Sequence, residues 1–290
     1  MGRTDGDRFE LLERVGAGGT GSVYRARDRL SGDFVAYKEL HGFGPDDGAR
    51  FARECALLAT LSAPGIVRYV AHGFGKQPWL AMEWVEGPTL SKVLKQRGLS
   101  WTESLDVTRK VAGAVGALHQ RGIVHRDVKP GNVILQDGDP ARPKLIDLGI
   151  ARPEGESLTM TGVVVGTAGY MAPEQARGLS GIDARADVFA LGSMLFRCLT
   201  GRAPFTGEDA LSVMLRVTLE DAPKASENDS RIPEELDELC SRLLARDRDL
   251  RPRDGIEVAS LIADLGEVES VPSRRSFSDL GAVTTTERRL

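Results

Sequence analysis

No run of about 18 apolar residues occurs in the chain, so no segment has the length and apolarity of a membrane-spanning helix. Cysteine is scarce: the 290 residues hold three, Cys55, Cys198 and Cys240, far apart and without CxxC or Cys/His ligand spacing. That excludes a disulfide framework and a structural zinc site, and predicts core thiols in a reducing compartment. An excess of one charge is lacking too. Thirty-eight Lys and Arg stand against 42 Asp and Glu, a formal net charge of −4 spread along the chain. Nothing in that balance marks a nucleic-acid partner or an anionic membrane. The opening "MGRTDGDRFE" has no apolar signal-peptide core, and Gly6 stands where an N-terminal acylation signal needs Ser or Thr. The expected location is cytoplasmic.

What is present is an ordinary globular composition, 41% hydrophobic and 28% charged. The first eighty residues read as strands: two β-compatible runs around a glycine cluster in "FELLERVGAGGTGSVYRARD", then "FVAYKEL", "IVRYVAHGF" and "PWLAMEWVEG". One helix interrupts them, where Phe51, Cys55, Leu58 and Leu61 recur at helical spacing. After Gly87 the pattern turns helical. Ser100 with Glu103 fits a capping box, and Gly122 can end the helix that follows. Apolar stripes at 187–199, 209–218, 234–245 and 256–265 predict further helices, with short strands "NVIL" and "PKLIDLG" before them. The expected architecture is α+β. An N-terminal extension (1–8) leads into a small β-rich lobe with one main helix (9–82). A hinge (83–88) joins this to a larger helical lobe (89–266), and a Ser/Thr/Arg-rich flexible tail (267–290) closes the chain.

"GAGGTGSV", with Gly16, Gly18 and Gly21, offers backbone N–H groups that phosphates can approach. Taken alone it is no more telling than a glycine turn. The strand-like "SVYRARD" after it argues against a dinucleotide fingerprint, which needs a helix there. Lys38 ends an apolar strand and Glu54 flanks the apolar stripe of the next helix; each reads equally as a solvated side chain unless the two pair. "VHRDVKPGN" is far more specific. Within six residues it sets a carboxylate to receive a proton (Asp127), an ammonium for a phosphoryl oxygen (Lys129) and an amide for a metal (Asn132). Asp147, inside the apolar run "KLIDLGIA", needs a partner for its charge and can supply the second metal ligand.

Taken in order, "GAGGTGSV", "VAYK", Glu54, "HRDVKPGN", "IDLG", "GTAGYMAPE", "DVFALG" and Arg251 resemble the eukaryotic-type (Hanks-type) serine/threonine protein kinases over roughly residues 9–265. "GxGGxGxVY" and "YMAPEQARG" give a bacterial flavour. The resemblance implies the bilobal protein kinase fold and the cofactors ATP and Mg²⁺, with Mn²⁺ as the alternative metal. It implies that Lys38 contacts the α- and β-phosphates and pairs with Glu54 in the active state, that Asp127 accepts the substrate proton, and that Lys129 steadies the γ-phosphoryl group. Asn132 and Asp147 would hold the metal. Val15, Gly16, Gly18 and Gly21 would cover the nucleotide, with Val23, Ala36 and Ile134 around the purine. Met82 would be the gatekeeper, and Glu83 and Val85 would offer backbone hydrogen bonds to adenine. Glu174 would pair with Arg251, and Asp187 would tie down the catalytic loop. His119 and His125 read as core histidines. Leu148 departs from the family's usual Phe, which bears on regulation rather than chemistry.

Lys129 two residues after Asp127, and Thr167 in "GT", point to Ser/Thr rather than Tyr hydroxyls as acceptors. Thr159 and Thr161 in "ESLTMTGVVVGT" sit where such kinases autophosphorylate, and Arg126 and Arg152 could receive the phosphate. Gly131, just before Asn132, stands where arginine-directed kinases often carry an acid. The implied partners are protein substrates, with a regulatory partner or a homodimer for trans-autophosphorylation. Two other classes compete: a pseudokinase scaffold and a small-molecule phosphotransferase of kinase-like fold. Lys38, Asp127 and Asp147 argue against the first, and the "APE" segment with Glu174 and Arg251 argues against the second.

Overall fold

The computed structural model describes residues 8–18, 21–42, 47–75, 77–147 and 168–266. Leu148, Arg152, Thr159, Thr161, Thr167 and the expected tail lie outside the described residues. Five antiparallel strands form the small lobe's sheet: β1 (Phe9–Gly18), β2 (Gly21–Asp28), β3 (Phe34–Leu40), β4 (Tyr69–Phe74) and β5 (Pro78–Glu83), in the order β1-β2-β3-β5-β4. Helix α1 (Asp47–Ala59) enters between β3 and β4. Strand alternation divides β3 cleanly. Val35 and Tyr37 pack outward with Phe9, Ala26 and Ala81. Ala36, Lys38 and Leu40 take the other face, where Leu40 joins Phe51, Cys55 and Leu58 of α1 in the main core.

The large lobe comprises α2 (Leu90–Gln96), α3 (Trp101–His119), the hairpin β6 (Val133–Leu135) and β7 (Pro143–Leu145), then α4 (Pro173–Ala176), α5 (Ala184–Thr200), α6 (Ala210–Leu219), α7 (Glu234–Leu243) and α8 (Gly255–Asp264). The capping box forms at the start of α3: Glu103 N–H donates to Ser100 Oγ at 3.1 Å and Ser100 N–H to Glu103 Oε2 at 2.8 Å. The helix stops around Gly122, φ +73°, with Ile123 N–H on Leu118 O and Gly122 N–H on His119 O, the paired bonds of a Schellman motif. Helix α5 is apolar almost all round and correspondingly buried, so it forms the axis of the lobe.

Two connections bring the lobes together. Residues after β5 lie along β6: Leu135 N–H bonds Pro88 O and Asp137 N–H bonds Glu86 O, both at 2.9 Å. Gly87 sits so close that a Cβ would stand 2.0 Å from Leu135 O. Farther back, Gly65–Val67, between α1 and β4, join the large lobe. Leu145 N–H bonds Gly65 O at 2.7 Å, Val67 N–H bonds Leu145 O at 3.1 Å, and a Cβ on Gly65 would meet Ala114 of α3 at 2.9 Å.

Candidate active site

The floor of the cleft is built on α5. Asp187, in its first turn and 1% exposed, accepts the backbone N–H groups of His125 and Arg126, both at 2.7 Å, and meets His119 Nε2 at 2.9 Å. Nδ1 of His119 accepts Gly255 N–H at 3.1 Å, so the ring proton stands on Nε2 and donates to Asp187. A buried carboxylate is costly unless hydrogen bonds surround it, and here three donors do. His125 has the same logic: Nε2 donates to Ile146 O and Nδ1 accepts Asp127 N–H, each at 3.3 Å. Both histidines are core residues, as their sequence context suggests, and each also orients the loop between α3 and β6.

That loop gathers Asp127, Lys129 and Asn132. Lys129 Nζ donates to both carboxylate oxygens of Asp127 at 3.1 and 2.9 Å. Asn132 Nδ2 donates to Asp127 O at 2.8 Å and Oδ2 at 3.0 Å, which leaves its amide oxygen for a cation. Pairing of Val133 with Leu145, extended by Ile146 N–H on Asn132 O at 2.8 Å, sets Asn132 beside the chain that leads into Asp147. Arg126 and Asp147 flank the site with φ of +63° and +58°, left-handed conformations that cost non-glycine residues energy.

Lys38, 6% exposed, hydrogen-bonds Asp147 Oδ1 across the cleft. Burial alone pushes the Asp147 carboxyl up. The Lys38 ammonium, by charge and hydrogen bond, with His125 and Lys129 farther off, outweighs burial and holds it below the usual carboxylate range. The resemblance implies a Lys38–Glu54 pair in the active state; in this structure Lys38 pairs with Asp147. Glu54 has Arg50 one turn away on α1 at 4.0 Å, and Lys144 pairs with Glu83 at 3.0 Å.

Val23, Ala36 and Ile134 are half-buried on the cleft side, Met82 is in the core, and Val15 is 46% exposed on β1. Among the described residues no hydrogen bond reaches the backbone N–H or carbonyl of Val85, which adenine could use. Among the described residues a Cβ on Gly18 would meet nothing within 4 Å and one on Gly16 only Val23 at 3.9 Å, so packing against them does not require glycine there. Gly21 is different: φ is +154° and a Cβ would stand 2.1 Å from Glu39 O, so its glycine belongs to the β2–β3 approach. Among the described residues no cluster of three or more His, Cys, Asp or Glu could cage a metal. An amide and one carboxylate suit a hard cation that draws its remaining ligands from phosphates and water.

Glu174 and Arg251 come together as a bidentate pair at 2.8 and 3.0 Å, with the Arg251 side chain fully enclosed. Two contacts escaped the sequence reading. Lys144 with Glu83 joins β7 to the end of β5. Gln175 reaches Arg126 O at 3.2 Å from 49 residues away, and only its place two residues past a helix-starting Pro hinted at a capping role.

The profile of the protein kinase domain matches residues 9–259. The DNA damage-responsive serine/threonine-protein kinase RqkA of Deinococcus radiodurans is 36% identical over 264 residues, 88% of this chain and 39% of that protein. Serine/threonine-protein kinase PknL of Mycobacterium tuberculosis is 35% identical over 274 residues, 92% of this chain and 68% of that one. PknB of Mycobacterium tuberculosis is 38% identical over 277 residues, 91% and 43% of the two chains. This chain thus spans about two fifths of the length of RqkA and PknB. Among solved structures, Rad53 1-466 in complex with AMP-PNP superposes with a TM-score of 0.74 at 25% identity, covering 88% of this chain and 65% of that one. With the fold, the cleft and the profile in agreement, the chain belongs to the protein kinase family.

Proposed function

We propose that this chain transfers the γ-phosphoryl group of ATP to Ser and Thr hydroxyls of proteins. The observation that carries the reading is the convergence of Asp127, Lys129 and Asn132 on one loop, with Asp147 brought beside them by the β6–β7 hairpin. The names of RqkA, PknL and PknB support Ser/Thr as the acceptor, and AMP-PNP on Rad53 supports a nucleoside triphosphate in the cleft. Asp127 takes the proton of the acceptor hydroxyl as its oxygen attacks the γ-phosphorus, and the bond to the β-phosphate oxygen breaks to release ADP. Lys129, already on Asp127, stands where it can meet a γ-phosphoryl oxygen. Asn132 and Asp147 would hold Mg²⁺ or Mn²⁺, which when bound neutralises charge on the β- and γ-phosphates. Lys38 would exchange Asp147 for the α- and β-phosphates, and residues 83–88 would serve as the hinge. Autophosphorylation of Thr159 or Thr161, in cis or across a homodimer, would then set the activity.

Incubation with labelled ATP and Mg²⁺, alone and with a generic protein substrate, tests the assignment. Phosphothreonine or phosphoserine should accumulate at about 1–100 s⁻¹ once the enzyme is activated, and be lost in Asp127→Asn. Nucleotide binding with no transfer in the wild type would refute it. If the Thr159→Ala/Thr161→Ala variant equals the phosphorylated wild type in rate, the autophosphorylation part fails.

A further inference from the structure

We infer that Gln175 is a positioning residue for Asp127, acting through the Arg126 carbonyl; the inference rests on the kinase reading above. Arg126 holds a left-handed φ of +63°, and its neighbours are pinned on every side. The N–H groups of His125 and Arg126 are fixed by Asp187, and Asp127 N–H is fixed by His125 Nδ1. The carbonyl of Arg126 belongs to the same peptide plane as Asp127 N–H. Gln175 Nε2 donates to it at 3.2 Å.

The amide cannot be turned over. Its Oε1 accepts Ala172 N–H at 3.0 Å, and an N–H can only donate, so Nε2 must face the carbonyl. Ala172 has no side-chain oxygen with which to cap α4, so Gln175 performs both tasks at once: it caps the short helix carrying Glu174 and holds the peptide that carries the base. A strained residue persists where its surroundings over-determine it, and rotation of the 126–127 peptide would carry the Asp127 carboxylate off line. Gln175 therefore transmits the position of the segment around Glu174, itself fixed by Arg251, to the proton acceptor.

Gln175→Glu separates the two tasks. It keeps the oxygen for Ala172 N–H and removes the donor to Arg126 O; Gln175→Ala removes both. With the full chain, saturating Mg²⁺ and a generic protein substrate, we expect both variants to lose kcat by about 10-fold while KM for ATP moves less than about twofold. In the Asp127→Asn background Gln175→Glu should have no further effect on residual turnover, because the two act as a unit. Full kcat in Gln175→Glu with loss only in Gln175→Ala would reduce the residue to a helix cap and overturn the inference. Additive losses with Asp127→Asn would overturn it as well. A wild type without phosphotransfer sinks the kinase reading and this role with it, whereas an active wild type with an unaffected Gln175→Glu sinks only the role.

Discussion

Replacing Arg251 by Lys tests whether the pair with Glu174 works by charge or by shape. All five N–H donors of Arg251 are used: two on Glu174 at 2.8 and 3.0 Å, and the others on Ala245 O, Arg185 O and Arg246 O at 2.7, 3.0 and 3.1 Å. The guanidinium also lies 5.0 Å from the Phe189 ring centre. A lysine keeps the charge and offers three donors from one point, so at least two bonds are lost. At about 1.5 kcal/mol for each hydrogen bond involving a charged group, the cost is about 3 kcal/mol before the ring contact is counted. For a chain of this size that lowers Tm by about 6–12 °C. Urea unfolding should show the midpoint falling with an unchanged m-value. Arg251→Met should cost more, because it strands Glu174 without a cation in the core. If Arg251→Lys stays within about 1 kcal/mol of wild type, charge alone suffices and the donor count has no standing.

Gly21→Ala should destabilise the protein by about 2–3 kcal/mol, because the methyl meets Glu39 O at 2.1 Å, whereas Gly18→Ala should leave stability within about 0.5 kcal/mol and show itself in KM for ATP. Thermal unfolding of both variants beside ATP kinetics separates these outcomes. Asp28, 1% exposed, is held below the usual carboxylate range by its hydrogen bonds to Arg8, against the opposing effect of burial. Because the folded value is the lower one, its stabilisation is present above about pH 4 and fades as pH falls through the folded pKa. Asp28→Asn should therefore lose about 1–2 kcal/mol at pH 7 and converge on wild type in acid, read from urea midpoints across pH. Burial pushes the Cys55 and Cys198 thiols up to about 12, with Cys240 raised in the same way, so none should react with a disulfide reagent at pH 8 until denaturant is added.

Chemistry confined to a short stretch was legible in the sequence. Asp127, Lys129 and Asn132 meet through bonds spanning two to five residues, so their order along the chain nearly dictates their geometry. Ser100 with Glu103, and Gly122, mark the ends of α3 for the same reason: caps are local. Lys38 shows where such reading stops. Its choice between Glu54 and Asp147 depends on how α1 sits against β7, and its partner lies 109 residues away. Gln175 was invisible because a capping glutamine looks the same whether or not a distant carbonyl waits for its other end. Gly21 belongs to the glycine motif, and the backbone of the neighbouring strand constrains it as well, which no glycine motif reveals.

The attachment of Gly65–Val67 to α3 and β7 gives α1 a fulcrum. The helix ends at Ala59, and the chain is bound to the large lobe a few residues on, so rotation of α1 pivots at its C-terminal end. Glu54 lies five residues before Ala59, a lever arm of about 7.5 Å at 1.5 Å per residue. A swing of about 20° then carries that position about 2.5 Å, a large part of the reach of an ion pair. A turn of α1 about that end moves Glu54 relative to Lys38 without unfolding the helix, and Arg50, farther along the same arm, travels with it.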